Sequence, residues 1–244
     1  SSDTLYFGGF GVGAAHTATY EANGDAFQAS AVGAAGGGAN NSVTSTTTAL
    51  VGSNYIINSA AGDMKVIASD TVNQLYGGAR AGSGGVAAGA ATVSDATVRQ
   101  TVTAHVKGNT IFSLNDNPYT SLAAIDIEAL TFLSTNDSVS LDAGGLFAGG
   151  GARSTIDAQA HNIVLIDDGV TLFSAGNLYV GSAAIMKASN NANAKLYGLL
   201  TGAGASTNSA LKATQDVTIG NAKLEAWGLL NVYAGQSGNG YYLS

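Results

Sequence analysis

No cysteine occurs among the 244 residues, so neither a disulfide framework nor a thiolate metal site holds this chain together. Proline is almost as scarce: Pro118 stands alone. Proline deletes a ladder donor, so its rarity leaves the backbone free to pair over long distances. Charge is thin as well, at 10% of residues, against roughly 25% in an ordinary soluble domain. Neither Lys nor Arg occurs before Lys65. With 9 Lys+Arg against 16 Asp+Glu, and no cationic cluster, the sign is wrong for a phosphate backbone, which argues against a nucleic-acid partner. No run of about 18–20 apolar residues appears, so no membrane span is expected. At Ser1-Ser2-Asp3 there is no basic segment and no apolar segment of a signal peptide. Such an opening suits a processed chain or one piece of something larger.

Two side chains dominate what remains. Gly (34) and Ala (43) together make up just under a third of the chain. Glycine shows no period of three, which excludes collagen. Apolar residues at 45%, with a net charge of only −7, exclude the signature of disorder.

The clearest local pattern lies at 98–107. Val98, Val102, Ala104 and Val106 share one face, and Arg99, Thr101, Thr103, His105 and Lys107 share the other. A period of two marks a strand buried on one side. Short runs of the same kind recur at 63–69 (DMKVIAS), 109–114 (NTIFSL), 138–141 (SVSL), 162–166 (NIVLI), 170–174 (VTLFS), 177–180 (NLYV), 216–219 (DVTI) and 223–230 (KLEAWGLL). None requires a strand longer than about seven to nine residues. A helix competes only at 120–132 (TSLAAIDIEALTF), where Ile125, Ile127 and Ala129 also alternate with Asp126 and Glu128 as a strand would.

The chain also repeats itself. At an offset of 55, Val43, Thr46, Thr48, Ala49, Val51, Asn54 and Ile56 match Val98, Thr101, Thr103, Ala104, Val106, Asn109 and Ile111, which is 7 identities in 15 positions. At an offset of 28, Asn193-Ala194-Lys195-Leu196 recurs as Asn221-Ala222-Lys223-Leu224, each followed by Gly-Leu-Leu. The near factor of two predicts a structural unit of about 28 residues that stacks on its own copies, because so small a unit cannot bury its own apolar face. The expected fold is therefore all-β: one elongated parallel β-solenoid over 1–244, with about 8–12 irregular coils and a rod of roughly 40–60 Å at strand spacing. Small inward residues imply a thin core. Gly and Asn suit left-handed corners. Low charge avoids like charges stacked in register. A β-sandwich or barrel is the rival.

On these segments a resemblance can be placed. The stretches 137–145 (DSVSLDAGG), 216–220 (DVTIG) and 229–235 (LLNVYAG), and 26–54 with its later copy, resemble the degenerate repeats of filamentous-haemagglutinin-type exoproteins. These include the two-partner-secreted and leukotoxin-like filamentous adhesins of bacteria. The resemblance is one of texture over most of the chain. It implies a right-handed parallel β-helix in a secreted or surface-displayed stalk or filament. The implied partners are further coils or copies of itself end to end, and host-cell or matrix glycans or proteins.

Candidate chemistry is sparse. His16, His105 and His161 lie in dissimilar contexts, with no H-x-x-x-H or H-E-x-x-H spacing, and read as solvated or ladder histidines. Gly9-Phe10-Gly11-Val12-Gly13-Ala14 matches a dinucleotide loop only loosely and lacks its supporting elements. Asn115-Asp116-Asn117-Pro118 offers oxygen ligands for calcium but no spaced acidic pattern. Asp167-Asp168, with Asp142, Asp157 or Lys187 on neighbouring coils, would suit a lyase or hydrolase of acidic polysaccharide, the alternative reading. As a plain turn between two strands, Asp167-Asp168-Gly169 needs no chemistry. Tyr197, Trp227, Tyr233, Tyr241 and Tyr242 gather late and read as core or cap packing. A flat Thr array of the ice-binding kind does not persist beyond Thr46-Thr47-Thr48. No catalytic, cofactor-binding or metal-binding residue is assigned. The reading is a non-enzymatic segment of an extracellular or cell-surface adhesin.

Overall fold

A computed structural model describes residues 3–60, 62–115 and 123–235. The chain winds as follows. The first coil is β1 (Asp3–Phe7), β2 (Phe10–Ala29) and β3 (Val32–Val51). The second is β4 (Tyr55–Ser59), β5 (Met64–Gly84) and β6 (Ala87–Val106). The third is β7 (Ile111–Leu114), β8 (Ala124–Gly144) and β9 (Phe147–Ile166). The fourth is β10 (Thr171–Ser174), β11 (Asn177–Tyr197) and β12 (Leu200–Ile219). A fifth opens with β13 (Lys223–Ala226) and β14 (Leu230–Ala234). No helix occurs among the described residues.

Every third strand falls in the same sheet. The short wall is β1-β4-β7-β10-β13, the first long wall β2-β5-β8-β11-β14, and the second long wall β3-β6-β9-β12. All pairings are parallel. The parallel β-solenoid holds, and the sandwich and barrel fail.

The coil itself is about twice the size that the sequence suggested. One full circuit separates Asp3 from its neighbour Tyr55, and Met64 from its neighbour Ile125. There are four full coils rather than 8–12, and the long strands run 20 or 21 residues rather than nine. At about 3.3 Å per residue each long wall spans roughly 65 Å, whereas the stack of coils is only about 20 Å high. The described piece is thus a broad, flat slab rather than a rod of 40–60 Å.

The offset of 55 is the true register: Val43 lies beside Val98, Thr46 beside Thr101 and Ile56 beside Ile111. The offset of 28 is not a coil period, since Asn193 sits in β11 and Lys223 in β13. What the two places share is corner chemistry, a glycine packed closely against the coil before it, followed by leucines that enter a strand. A Cβ on Gly198 would collide with the Gly145 carbonyl oxygen, and one on Gly228 would crowd Gly176 and Asn177. The same collision repeats at Gly145 against Gly85, and at Gly85 against Ser30. The turn that joins the two long walls is therefore a glycine column.

Burial alternates along the walls as the period of two requires. Val98, Val102, Ala104 and Val106 are fully buried, with Gln100 in the same row. Within 120–132 the strand runs from Ala124 onward, with Ile125, Ile127 and Ala129 inside. One extra residue in β5, between Gln74 and Gly77, shifts the pairing with both neighbours, so inward positions change from even to odd numbers there. At other corners Asn54, Asn109 and Gly169 take positive φ (66°, 58° and 76°), the left-handed geometry that Asn and Gly tolerate.

The interior divides into three apolar compartments. Against the short wall lie Phe112, Ile57, Leu172 and Met64. The middle holds Val72, Leu133, Ile156 and Met186. Toward the turn between the long walls, here called the tip, almost everything is alanine, with Val139 and Leu141 the largest members. Two polar seams separate the compartments, and both are central to the site description. Charges follow the ladder rule: among the paired positions no like charges are direct neighbours, while Asp25–Arg80, Lys65–Asp126 and Asp142–Lys195 are opposite in sign.

Candidate functional site

The carboxylates singled out from sequence do not converge. Asp167 and Asp168 sit at the corner between β9 and β10. Asp167 Oδ1 is 2.9 Å from His105 Nε2, and Asp168 Oδ1 accepts the backbone N–H of Asn221 at 2.6 Å. Asp142 lies on the outer face of β8 beside Lys195, while Asp157 on β9 bonds Arg99 Nη2 at 2.5 Å. Lys187 is exposed on β11 beside Ser134. These residues belong to different walls and different distances from the tip. Among the described residues no group of three or more His, Asp or Glu is placed to hold a metal ion. Of the calcium candidate only Asn115 is described, and it bonds Ser113; Asp116, Asn117 and Pro118 lie outside the described residues. Gly9-Phe10-Gly11-Val12-Gly13-Ala14 runs into strand β2 rather than into a helix.

Each histidine is a ladder histidine, with an aspartate of the next coil as partner. His16 Nδ1 lies 2.8 Å from Asp70 Oδ1, and His161 Nε2 lies 2.7 Å from Asp216 Oδ2. Asp70 also accepts the hydroxyl of Ser45. Serine, histidine and aspartate thus meet, but the carboxylate sits in the middle and accepts from both. A nucleophilic triad needs the hydroxyl on the imidazole instead.

Asp70 belongs to the first polar seam, with Gln100, Thr131 and Asn162. Asn162 accepts from Thr131 Oγ1 and donates to the Ala183 carbonyl, both at 2.5 Å. Asp137 anchors the second seam: Ser94 Oγ donates to it at 2.7 Å and Ser154 supplies a second hydroxyl. Burial, and then the charge of Asp137, pushes the Tyr20 hydroxyl up to about 12. These groups are sealed between the walls and bind the two walls together. Sequence reading missed them, although each sits in the inward parity of its strand, as Gln100 does between Val98 and Val102.

A second missed cluster lies outside the first long wall. Lys65 Nζ is 2.8 Å from Asp63 and 3.7 Å from Asp126, and Tyr233 of β14 donates to Glu128 Oε1 at 2.5 Å. Burial, reinforced by Glu128, lifts the Asp126 carboxyl to about 6 despite Lys65. Burial opposes ionisation of Asp63 too, but the Lys65 ammonium and the Ala124 N–H hold its carboxyl below the ordinary range. The Asp63 hydrogen bond, against some burial, raises Lys65. Tyr233 reaches Glu128 by lying flat over Gly181, where a Cβ would strike its ring. This arrangement ties the fifth coil to the third.

A depression of about 600 Å³ lies at the Asp167-Asp168 corner, and a pair of adjoining depressions lies on the outer face of the first long wall, nearer the tip. Each of the pair has a volume of about 360 Å³. Gly78 lowers the floor of the first, and the Phe27 ring at the edge of the second covers Gly82. Tyr76 and Arg80 border both depressions. Around them stand Glu21 and Asp25 of the first coil, Asp142 of the third, and Asn191 and Asn193 of the fourth. Aromatic faces among amides, hydroxyls and a single guanidinium suit the alternating apolar and hydroxylated faces of a saccharide. With three carboxylates to one Arg, the groove disfavours an acidic one. No family model, curated protein or solved structure matches this chain. The class that geometry alone defines is a parallel β-solenoid with broad, flat coils.

Proposed function

We propose that the chain is a stiff structural and adhesive segment of a bacterial surface or secreted exoprotein of the filamentous-haemagglutinin type. It works by mechanics and display, without turnover. Continuous parallel ladders resist bending, and the outer face of the first long wall carries the groove to a neutral or amine-bearing glycan of a host cell or matrix. The observation that carries this reading is the state of the outermost long strands. Among the described residues β2 and β3 at one end and β12 at the other have a ladder partner on one side only. Edges this long, left unpaired, are templates for more coils, whether of the same chain or of another copy. The lyase reading has no such support, since Asp167 and Asp168 are occupied in corner contacts and the groove is acidic.

Negative-stain microscopy of the purified chain, together with retention on immobilised neutral glycans, tests the proposal. Stacked rods and retention that is lost in Phe27→Ala and Arg80→Ala are expected. Isolated slabs at every concentration with no glycan retained would overturn it, as would uronate release that disappears in Asp167→Ala.

A further inference from the structure

The tip carries a feature that neither mechanics nor the groove uses. At each passage from the first to the second long wall the turn places large apolar side chains outward. These are Val32 in the first coil, Val86 in the second, Leu146 and Phe147 in the third, and Leu199 and Leu200 in the fourth. They stack into a ridge along the coil axis. Val86 is 54% exposed, Leu146 50% and Phe147 54%, although each has a coil on both sides. Exposure is therefore a property of the ridge rather than of the ends of the stack. Phe27 and Tyr197, both exposed, flank it on the side of the first long wall. None of the turn positions carries a charge.

Part of the ridge's backbone bonds along the stack. Val86 N–H donates to the Ala31 carbonyl at 2.8 Å, Phe147 N–H to Val86 at 3.1 Å and Leu200 N–H to Leu146 at 3.1 Å, while Gly145 N–H donates to Tyr197 at 2.8 Å. The turns thus bond to one another up the stack. An uncharged, apolar exterior suits a lipid interface, where affinity scales with the apolar area buried. The shape decides between occupants. The ridge is convex, only about one sheet-to-sheet distance (10 Å) wide and about 15 Å long. Two such ridges butted together would bury far less than the roughly 800 Å² per partner of a standard protein interface. A bilayer interface deforms around a narrow wedge, and aromatic side chains such as Phe147 and Tyr197 sit favourably at its polar boundary.

We propose that the tip ridge inserts into the outer layer of a lipid surface, so that the slab stands on edge with its coil axis in the membrane plane. Insertion is apolar rather than electrostatic. The chain has a net charge of −7 and no cationic cluster, so anionic lipid adds nothing.

Flotation with phosphatidylcholine vesicles tests this. The chain is expected to float with neutral vesicles, and to float no better when a fifth of the lipid is phosphatidylserine. Leu146→Ser/Phe147→Ser/Leu200→Ser, all outward positions, should keep its circular dichroism spectrum and lose at least tenfold in vesicle binding. A Leu199→Trp probe in a Trp227→Phe background should shift to the blue and be quenched by brominated lipid. Failure of the parent chain to float, equal flotation of the triple variant, or a ridge-dependent dimer without lipid would each overturn the proposal. Because no step depends on coils stacking end to end, rods and vesicle binding can fail independently.

Discussion

At the end of the coil closed by the short wall the interior is filled by Phe112, Ile57, Leu172 and Met64; at the tip, some 65 Å away by strand length, it holds scarcely anything larger than alanine. Both regions obey the same period of two. What differs is volume, and volume sets how far apart the long walls stand. In the first coils they come into backbone contact, since a Cβ on Gly24 would strike the Gly38 carbonyl and one on Gly37 would crowd that of Arg80. Alternation therefore says which side chains point inward, and side-chain size says where along the coil they belong.

The comparison can be broken from either end. Phe112→Ala empties the wide compartment, where no neighbour can collapse into the space, and should cost about 3–5 kcal/mol in denaturant unfolding. Asp137→Ala removes the acceptor of two buried hydroxyls at the border of the narrow compartment. A loss of about 3 kcal/mol is expected there, and clearly less for Asp137→Asn, which keeps an acceptor. Ala148→Leu overfills the tip and should cost about 1–3 kcal/mol. If the tip tolerated leucine freely, the walls there would not be held close and the contrast would disappear.

The smallest effect is one of pH. The Asp126 carboxyl stands at about 6, against an ordinary 3.8, chiefly through burial. The folded chain thus binds this proton more tightly than the unfolded chain. The resulting stabilisation is complete below about pH 4 and is lost as pH rises through about 6. Unfolding midpoints measured across that window should fall with rising pH for this group, and Asp126→Asn should remove that part of the slope. Asp63, held low, contributes in the opposite sense, and its share is lost as pH falls.

Much of this fold was legible in the residues. The offset of 55 between 43–57 and 98–112 is the pairing register itself, and the faces of 98–107 are as alternation reads them. The later coils hide the same period. The step lengthens from the second coil to the third, as from Met64 to Ile125 and from Val98 to Ala158, and shortens again from the third to the fourth, as from Phe147 to Leu200; identity fades with it, since Thr101 is followed by His161. Wall length was illegible because stretches such as 33–39 (GAAGGGA) hold only glycine and alanine, whose difference in hydropathy is too small to show a period of two. The offset of 28 misled because corners share a chemistry, a glycine under close approach, whatever their place in the coil. Of the candidate sites, the corner role of Asp167-Asp168 was visible in the turn sequence. The groove was not, because Phe27, Arg80 and Asn193 come together only when whole coils are stacked in register.

The most direct test uses the absence of cysteine. Spin labels on Thr46→Cys and Thr101→Cys, both on the outer face of the second long wall, report whether these two positions are lateral neighbours. Strong dipolar broadening is expected, because parallel strands lie about 4.8 Å apart. A second labelled pair, Asn193→Cys with Asn221→Cys, should show none. Broadening in the second pair would mean a coil of half the circumference, and its absence in the first would mean a different register; in either case the broad, flat solenoid would be wrong.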